Sequence, residues 1–544
     1  MKNIRDSVHG NIIIDNAFEK TILDTPAFQR LRRVEQTAIR SIFPSARHDR
    51  FIHSLGVYYI GSLLVEHLID EFDEECRIKN KDDFEGYDSD KIISITSSYL
   101  VACLLHDIAH APFSHTFEYY YGRHKDLYDE LNGLLGGRLD GELKKVESPN
   151  YHEYASAIVA FREYGEIVEK EIHADIELVC RMIIGCFYKK EMKSHELENC
   201  FISLLHGDVV DADRMDYACR DVWASGYCTS SLDVNRIVSA THIRREKKTG
   251  ELNVCFDSNA LNEISNMLDV RQFQNRYVIN HHSVQYEQLL MIKAAEQAAK
   301  EQTKNDNAEQ ALHEFVNIER CIKQRFSDED LLMIMKSSNN EYYQEFSSRQ
   351  YTRFSVWKTP DEFFHYFPNV PRGLPLKHKS FEAKVKEALG GEYDVNKMMI
   401  SDVKYKHSLN LKSLYIVVND EMVRYTDIHP EMKVDLGDVE TDISFYYLYV
   451  PKPKEVDKDL DKLRLEIVEK LKPVFLELYP MTVDEETIYN YIVRGVKKAF
   501  ELLDSAHASE RFTQIDNMKN DKKRLGEFIA ESGILKFLDN YPKD

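Results

Sequence analysis

The chain has 544 residues, 43% of them hydrophobic and few of them Gly or Pro, which suits one large packed domain with a smaller one beside it. Its net charge of -21 excludes a general basic field for wrapping duplex nucleic acid, so an anionic substrate needs a local basic pocket. Nine cysteines with no C-x-x-C pair argue against disulfide and zinc-ribbon scaffolds. No signal-peptide core opens the chain and no run approaches the roughly 20 apolar residues of a membrane span, so the expected location is cytoplasmic.

In chain order, the first chemistry-bearing stretch is "FQRLRRVEQTAIRSIFPSARHDRFIHSLG", whose Arg30, Arg32, Arg33, Arg40, Arg47 and Arg50 offer such a pocket. Amphipathic periodicity predicts helices over Leu55 to Phe72, Asp88 to Leu105, Glu153 to Glu169, Ile176 to Cys186 and Val284 to Lys300. Strand alternation is expected only later, in "SLYIVVND" and "ISFYYLYVP", the latter a packed strand or an assembly surface. A charged amphipathic helix is expected over "KEVDKDLDKLRLEIVEKLKPVFLEL". The polar stretch Lys336 to Tyr351 is the best boundary, which divides the chain into 1–335 and 336–544, and Lys452 to Asp459 reads as a surface loop.

"LLHDIAHAPFSHTFE" packs His106, Asp107, His110, His115 and Glu118 into one short stretch at a helix end. Adjacent helical side chains diverge by about 100°, so His106 and Asp107 share an ion only there, with other ligands coming from elsewhere. His53 upstream and Asp208, Asp211, Asp213, Asp216 or Asp221 downstream complete a His, His-Asp, Asp set. Such mixed ligation suits a divalent transition ion, on which a water becomes hydroxide near neutral pH.

Three motifs in order, "RFIHSLGV", "LLHDIAHAPFSHTFE" and "DADRMDYACRD", resemble those of the HD-domain deoxynucleoside triphosphate triphosphohydrolases, over roughly residues 1 to 330. The resemblance implies a mainly α fold, an HD-domain helical core with a smaller α+β C-terminal region, and hydrolysis of dNTPs to nucleoside and inorganic triphosphate. It makes His53, His106, Asp107 and Asp213 ligands of a divalent ion (Mn, Fe, Mg, Co, Ni or Zn), with Asp211 competing for the last place. It makes His115 the acid near the leaving oxygen, oriented by Glu118 at i+3, and puts His110 and His152 at the phosphates. Arg50 and Arg214 are expected on phosphates, and Gln36, Tyr217, Asp221 and His281 on the nucleoside.

Two departures concern specificity and regulation. After Gln36 the apolar, glycine-rich run that excludes a 2′-hydroxyl in the family is replaced by "TAIRS", and "RYVINHHSVQYEQLL" lacks an obvious sugar-stacking tyrosine. "LDTPAFQRLR" resembles the segment by which activated members bind GTP or dGTP: Lys2, Asp24, Gln29 and Arg32 match it. Arg5 stands where asparagine is usual, and "THIRREKKTGELNVCFDSN" lacks a basic second-activator signature. Activation would imply a homo-oligomer, a dimer or tetramer. The alternatives are an HD phosphodiesterase or nucleotidase, which would not need the "HAPFSH" extension, and a non-catalytic nucleotide-sensing oligomer.

Overall fold

The computed structural model describes residues 1–40, 42–72, 87–139, 150–189, 193–226, 232–372, 376–406, 414–419, 421–428, 442–453, 459–479 and 515. The fold is mainly helical, with a smaller α+β C-terminal region. Helix Arg50–Phe72 runs through the larger core between Ser89–Leu105 and Ala212–Ser225. It starts five residues before the expected Leu55, because Asp49 accepts the Ile52 amide at 3.0 Å and caps it. Its segment Arg50–Asp70 is the one helix among the described residues long and apolar enough, by length and average composition, to cross a membrane. Buried neighbours on both sides make it a core helix.

Ser89–Leu105 begins where expected, Asp88 accepting the Lys91 amide at 2.9 Å. The predicted Glu153–Glu169 helix instead starts at Tyr151 behind an Asn150/Glu153 capping box. It then widens into a π turn, Ala160–Tyr164, before Gly165–Glu171. Ile176–Ile184 stops at Gly185, whose φ of 64° suits glycine. The predicted Val284 helix is longer at both ends, His282–Thr303.

Strands also occur earlier than the alternation predicted. Lys2–Asp6 and Gly10–Ile14 form an antiparallel hairpin that buries Ile12 and Ile14. Thr241–Arg245 and Leu252–Asp257 form another. Tyr415–Val418 pairs in parallel with Leu252–Asp257 and antiparallel with Glu421–Arg424; the ends of "SLYIVVND", Ser413 and Asp420, lie outside the described residues.

A second sheet has Asp442–Pro451 between Arg353–Ser355 and Met399–Lys406, all antiparallel. "ISFYYLYV" is therefore a central strand, buried from Ile443 to Val450. Helices Leu460–Leu478 and His378–Leu389 cover it, and Trp357, Phe363, Phe367 and Phe475 fill the gap. Residues 454–458 of the predicted last helix, and with them most of the Lys452–Asp459 loop, lie outside the described residues. Lys336 to Tyr351 is no open linker: it contains the end of helix Asp328–Ser338 and all of Glu341–Ser348.

Candidate functional site

Three helices bring four donor groups together. His53 lies in the first turn of Arg50–Phe72, His106 caps the C-terminus of Ser89–Leu105 with Asp107 next in line, and Asp213 lies in the first turn of Ala212–Ser225. His53 Nε2 stands 3.3 Å from His106 Nε2, 3.0 Å from Asp213 Oδ1 and 3.6 Å from Asp107 Oδ2. His106 Nε2 is 3.5 Å from Asp107 Oδ2 and 3.8 Å from Asp213 Oδ1. Donors about 2.1 Å from one ion stand roughly 3.0–3.4 Å apart in octahedral or tetrahedral order; His53, His106 and Asp213 can share one divalent cation, with Asp107 beside the two imidazoles.

Asp211, the competitor of Asp213, is otherwise engaged: it caps the helix, accepting the Arg214 amide at 2.7 Å and the Gly207 amide at 3.0 Å.

Both imidazoles are held from behind. His53 Nδ1 pairs with Asp216 Oδ2 at 2.7 Å and His106 Nδ1 with the Cys103 carbonyl at 2.9 Å, which turns each Nε2 toward the cluster. Asp216 also receives Arg220 through Nε at 2.8 Å and Nη2 at 2.9 Å, while His9 Nε2 lies 2.6 Å from its other oxygen. Gly56 permits the close helix approach: a Cβ there would lie 1.8 Å from Asp216 Oδ1. Burial alone would lower the His53 pKa, yet its hydrogen bonds to Asp213 and Asp216 raise it to about 10. The pocket thus favours positive charge.

Beside the cluster, Glu118 joins two imidazoles, Oε1 to His115 Nδ1 at 3.1 Å and Oε2 to His152 Nδ1 at 2.7 Å. Burial pushes Glu118 up and both imidazoles pull it well below its usual range. Burial likewise opposes charge on His152, but Glu118 raises it to about 9. His115 is the exposed member, and it lines the cleft with His152. His110 does not line it: fully buried, it stacks under His152 with centroids 4.0 Å apart. Burial, then Arg50, holds its pKa well below the ordinary imidazole value. The turn that sets this group has two successive left-handed residues, Phe113 and Ser114, with φ of 55° and 53°.

The cleft encloses about 400 Å³ and is lined by His106, Asp107 and Asp213 together with Gln36, Arg50, Arg214, Tyr217 and Asp221. Arg50 is a brace as well as a wall: Nη1 donates to Asp107 Oδ2 at 2.7 Å, Nε to Ser114 Oγ at 2.9 Å and Nη2 to the Gln36 carbonyl at 3.1 Å. Arg214 Nη1 is similarly tied to Asp211 Oδ2 at 2.6 Å. Asp221 holds His48 at 2.7 Å.

His281 is not part of the lining: its Nδ1 accepts the Ser283 amide at 3.2 Å and caps helix His282–Thr303. Arg271, Gln274, Asn275 and Ile279 take that side of the cleft, and sequence reading missed them. The available signal was an arginine within the helical pattern of Leu261–Phe273, one to two turns before the quoted segment.

Two of the pairs expected at an activator segment are in contact. Lys2 Nζ donates to Asp24 Oδ1 at 2.7 Å, and Arg32 Nε donates to Gln29 Oε1 at 2.8 Å while its guanidinium lies 3.5 Å above the Phe51 ring.

Residues 50–218 match the family model of the HD domain. The span contains all four donors of the cluster. An uncharacterised protein of Methanocaldococcus jannaschii is 29% identical over 54% of this chain and 49% of its own length. The deoxynucleoside triphosphate triphosphohydrolase SAMHD1 of Gallus gallus is 28% identical over 52% of this chain and 43% of its own; that of Homo sapiens is 26% identical over 52% and 42%. The chain thus spans about half the length of these relatives. The fold is similar to that of a hypothetical protein from Aquifex aeolicus, with a TM-score of 0.53, 20% identity and 87% of this chain covered against all of the other.

Proposed function

We propose that this chain is a divalent-metal-dependent phosphohydrolase that converts deoxynucleoside triphosphates to deoxynucleoside and inorganic triphosphate. The observation that carries the reading is one cleft onto which the His53, His106 and Asp213 group opens through His106 and Asp213, with Asp107 and the Glu118-linked imidazoles His115 and His152 in the same lining. When bound, a divalent ion would supply Lewis-acid polarisation at the α-phosphate and a template for the incoming water. Everything else falls to the chain.

With Nδ1–H on Glu118, His115 in its imidazolium form gives its Nε2 proton to the 5′-oxygen as water adds to the α-phosphorus and the phosphorus–oxygen bond breaks, and the proton released by the water restores the imidazolium. His152, cationic up to about pH 9, adds positive charge for the phosphates with Arg214 and Arg271. Arg50 keeps Asp107 in place, and the buried His110 supports His152 from beneath.

In this reading residues 1–335 hold the catalytic machinery and 336–544 serve assembly or regulation in a dimer or tetramer. GTP, dGTP or a dNTP binds as activator through Lys2, Asp24, Gln29 and Arg32. The relatives named as dNTP triphosphohydrolases support the substrate class.

Purified protein incubated with Mn²⁺ and each dNTP, with and without GTP or dGTP, is expected to release nucleoside and intact triphosphate. Nucleoside monophosphate, or no turnover under any mixture, overturns the reading. Replacing both His106 and Asp107 with Ala should abolish turnover and metal retention while the circular dichroism spectrum stays helical.

A further inference from the structure

Of the arginines that the sequence groups as an anion pocket, Arg30 lies outside the cleft lining and is only 2% exposed. Its short helix, Pro26–Arg30, starts behind the Thr25 cap and buries Phe28, Arg30 and, one residue on, Leu31. A guanidinium is costly to bury unless its donors are used. Nε donates to the Phe326 carbonyl at 2.6 Å and Nη2 to the His110 carbonyl at 2.7 Å. The planar fork suits two carbonyls from segments far apart in sequence, which the single ammonium of a lysine does not span.

His110 sits in the turn that leads from the end of helix Ser89–Leu105 to the Glu118 group. Buried side chains from separate elements fasten that turn: Ser156 Oγ accepts the Ala109 amide at 3.2 Å, Tyr121 Oη donates to the Ala109 carbonyl at 2.5 Å and Asp328 Oδ1 accepts the Phe113 amide at 2.7 Å. Among the described residues, Arg30 is the side chain that fastens the His110 backbone itself. The His110 ring lies 17° from parallel with that of His152, with 4.0 Å between centroids, and His152 lines the cleft. A shift of the His110 backbone therefore moves the floor on which His152 rests.

We propose that Arg30 is a positioning residue: it holds the His110 carbonyl so that the His110 ring keeps the His152 imidazole at the substrate phosphates. Arg30 itself touches no substrate. The proposal rests on the phosphohydrolase reading above and adds a buried residue on which its rate depends.

The test is a double-mutant cycle of Arg30→Met and His152→Gln, with kcat and KM for dGTP in Mn²⁺, metal content and circular dichroism measured on every member of the cycle. Arg30→Met is expected to lower kcat on the order of 10–100-fold at retained metal content, and by less than about two-fold in the His152→Gln background. Arg30→Lys, which keeps the charge and reaches one carbonyl, should lose less, and it replaces Arg30→Met in the cycle if that variant loses its helical spectrum. An unchanged kcat in Arg30→Met, or the same fold loss in both backgrounds, overturns the proposal, because a residue that only stabilises the fold acts independently of His152. Absence of dNTP turnover in the wild-type protein overturns the phosphohydrolase reading itself, and the proposal falls with it; turnover with Arg30 uncoupled from His152 overturns the proposal alone.

Discussion

Asp216 gives no atom to the donor cluster, yet it fixes the tautomer of His53 and neutralises Arg220. Asp216→Asn keeps the shape but removes charge, and it is expected to weaken metal binding about 10–100-fold, read as metal content after dialysis against a graded chelator. Glu118 and His152 set a pH window instead. The carboxyl titrates well below its ordinary 4.5 and the imidazole is raised from 6.5 to about 9, so the pair is fully stabilising above pH 4.5 and below 6.5. That stabilisation fades as pH rises through 9, and again as pH falls through the depressed value of Glu118. Denaturant titrations should find His152→Gln less stable than wild type by on the order of 2–3 kcal/mol near pH 6, with the gap closed by pH 10. An unchanged gap across that range would sink the ion-pair account. His106, Asp107, His115 and Glu118 share one stretch of sequence and stay close in space across a helix end and short turns, whereas His53 and Asp213 were singled out by motif resemblance. Asp216 was visible only as one of five acidic candidates, since its role is set by His53, 163 residues away.

At the level of elements, the site depends on how closely two helices approach. A methyl group at Gly56 would overlap the Asp216 carboxylate, so Gly56→Ala must push Ala212–Ser225 outward and carry Asp213 with it. A loss of about 3 kcal/mol or more in unfolding free energy, together with weaker metal binding, is expected; a stable variant with normal metal content would show that the approach is not constrained. Asp328 is a second fastening: Oδ1 accepts the Phe113 amide at 2.7 Å and Oδ2 the Glu35 amide at 2.9 Å. It thereby joins the left-handed turn before His115 to the segment before Gln36. Asp328→Ala leaves two buried amides unpaired, for an expected cost of about 2–6 kcal/mol by thermal or denaturant unfolding. Neither fastening has a sequence signature. His281, expected at the nucleoside from motif resemblance, follows the π turn Gln274–Ile279 and caps the next helix, outside the cleft lining.

The whole molecule is less divisible than its composition suggests. Helix His282–Thr303 gives Met291, Ala294 and Ala295 to the first core but Tyr286 and Leu290 to the second. In the other direction, Leu414 and Ile416 return from the C-terminal region to the first core, where Tyr415–Val418 extends the sheet begun by Thr241–Arg245. No periodicity reveals a parallel pairing of Phe256 with Ile416, because the partners are far apart in sequence and each strand is short. Such interlocking has a thermodynamic consequence. A fragment ending at residue 335 lacks Leu414 and Ile416 from the first core and uncovers Tyr286 and Leu290, whose burial is worth about 3–6 kcal/mol at ordinary side-chain transfer values, against a total stability of about 5–15 kcal/mol for a typical domain. The fragment is therefore expected to be largely unfolded or aggregated at 25 °C, and calorimetry of the full chain should give one cooperative transition spanning both cores. Two separated transitions, or a soluble 1–335 fragment with native-like near-UV circular dichroism, would mean that the shared helix and the returning strand contribute little, and that the C-terminal region is an independent attachment.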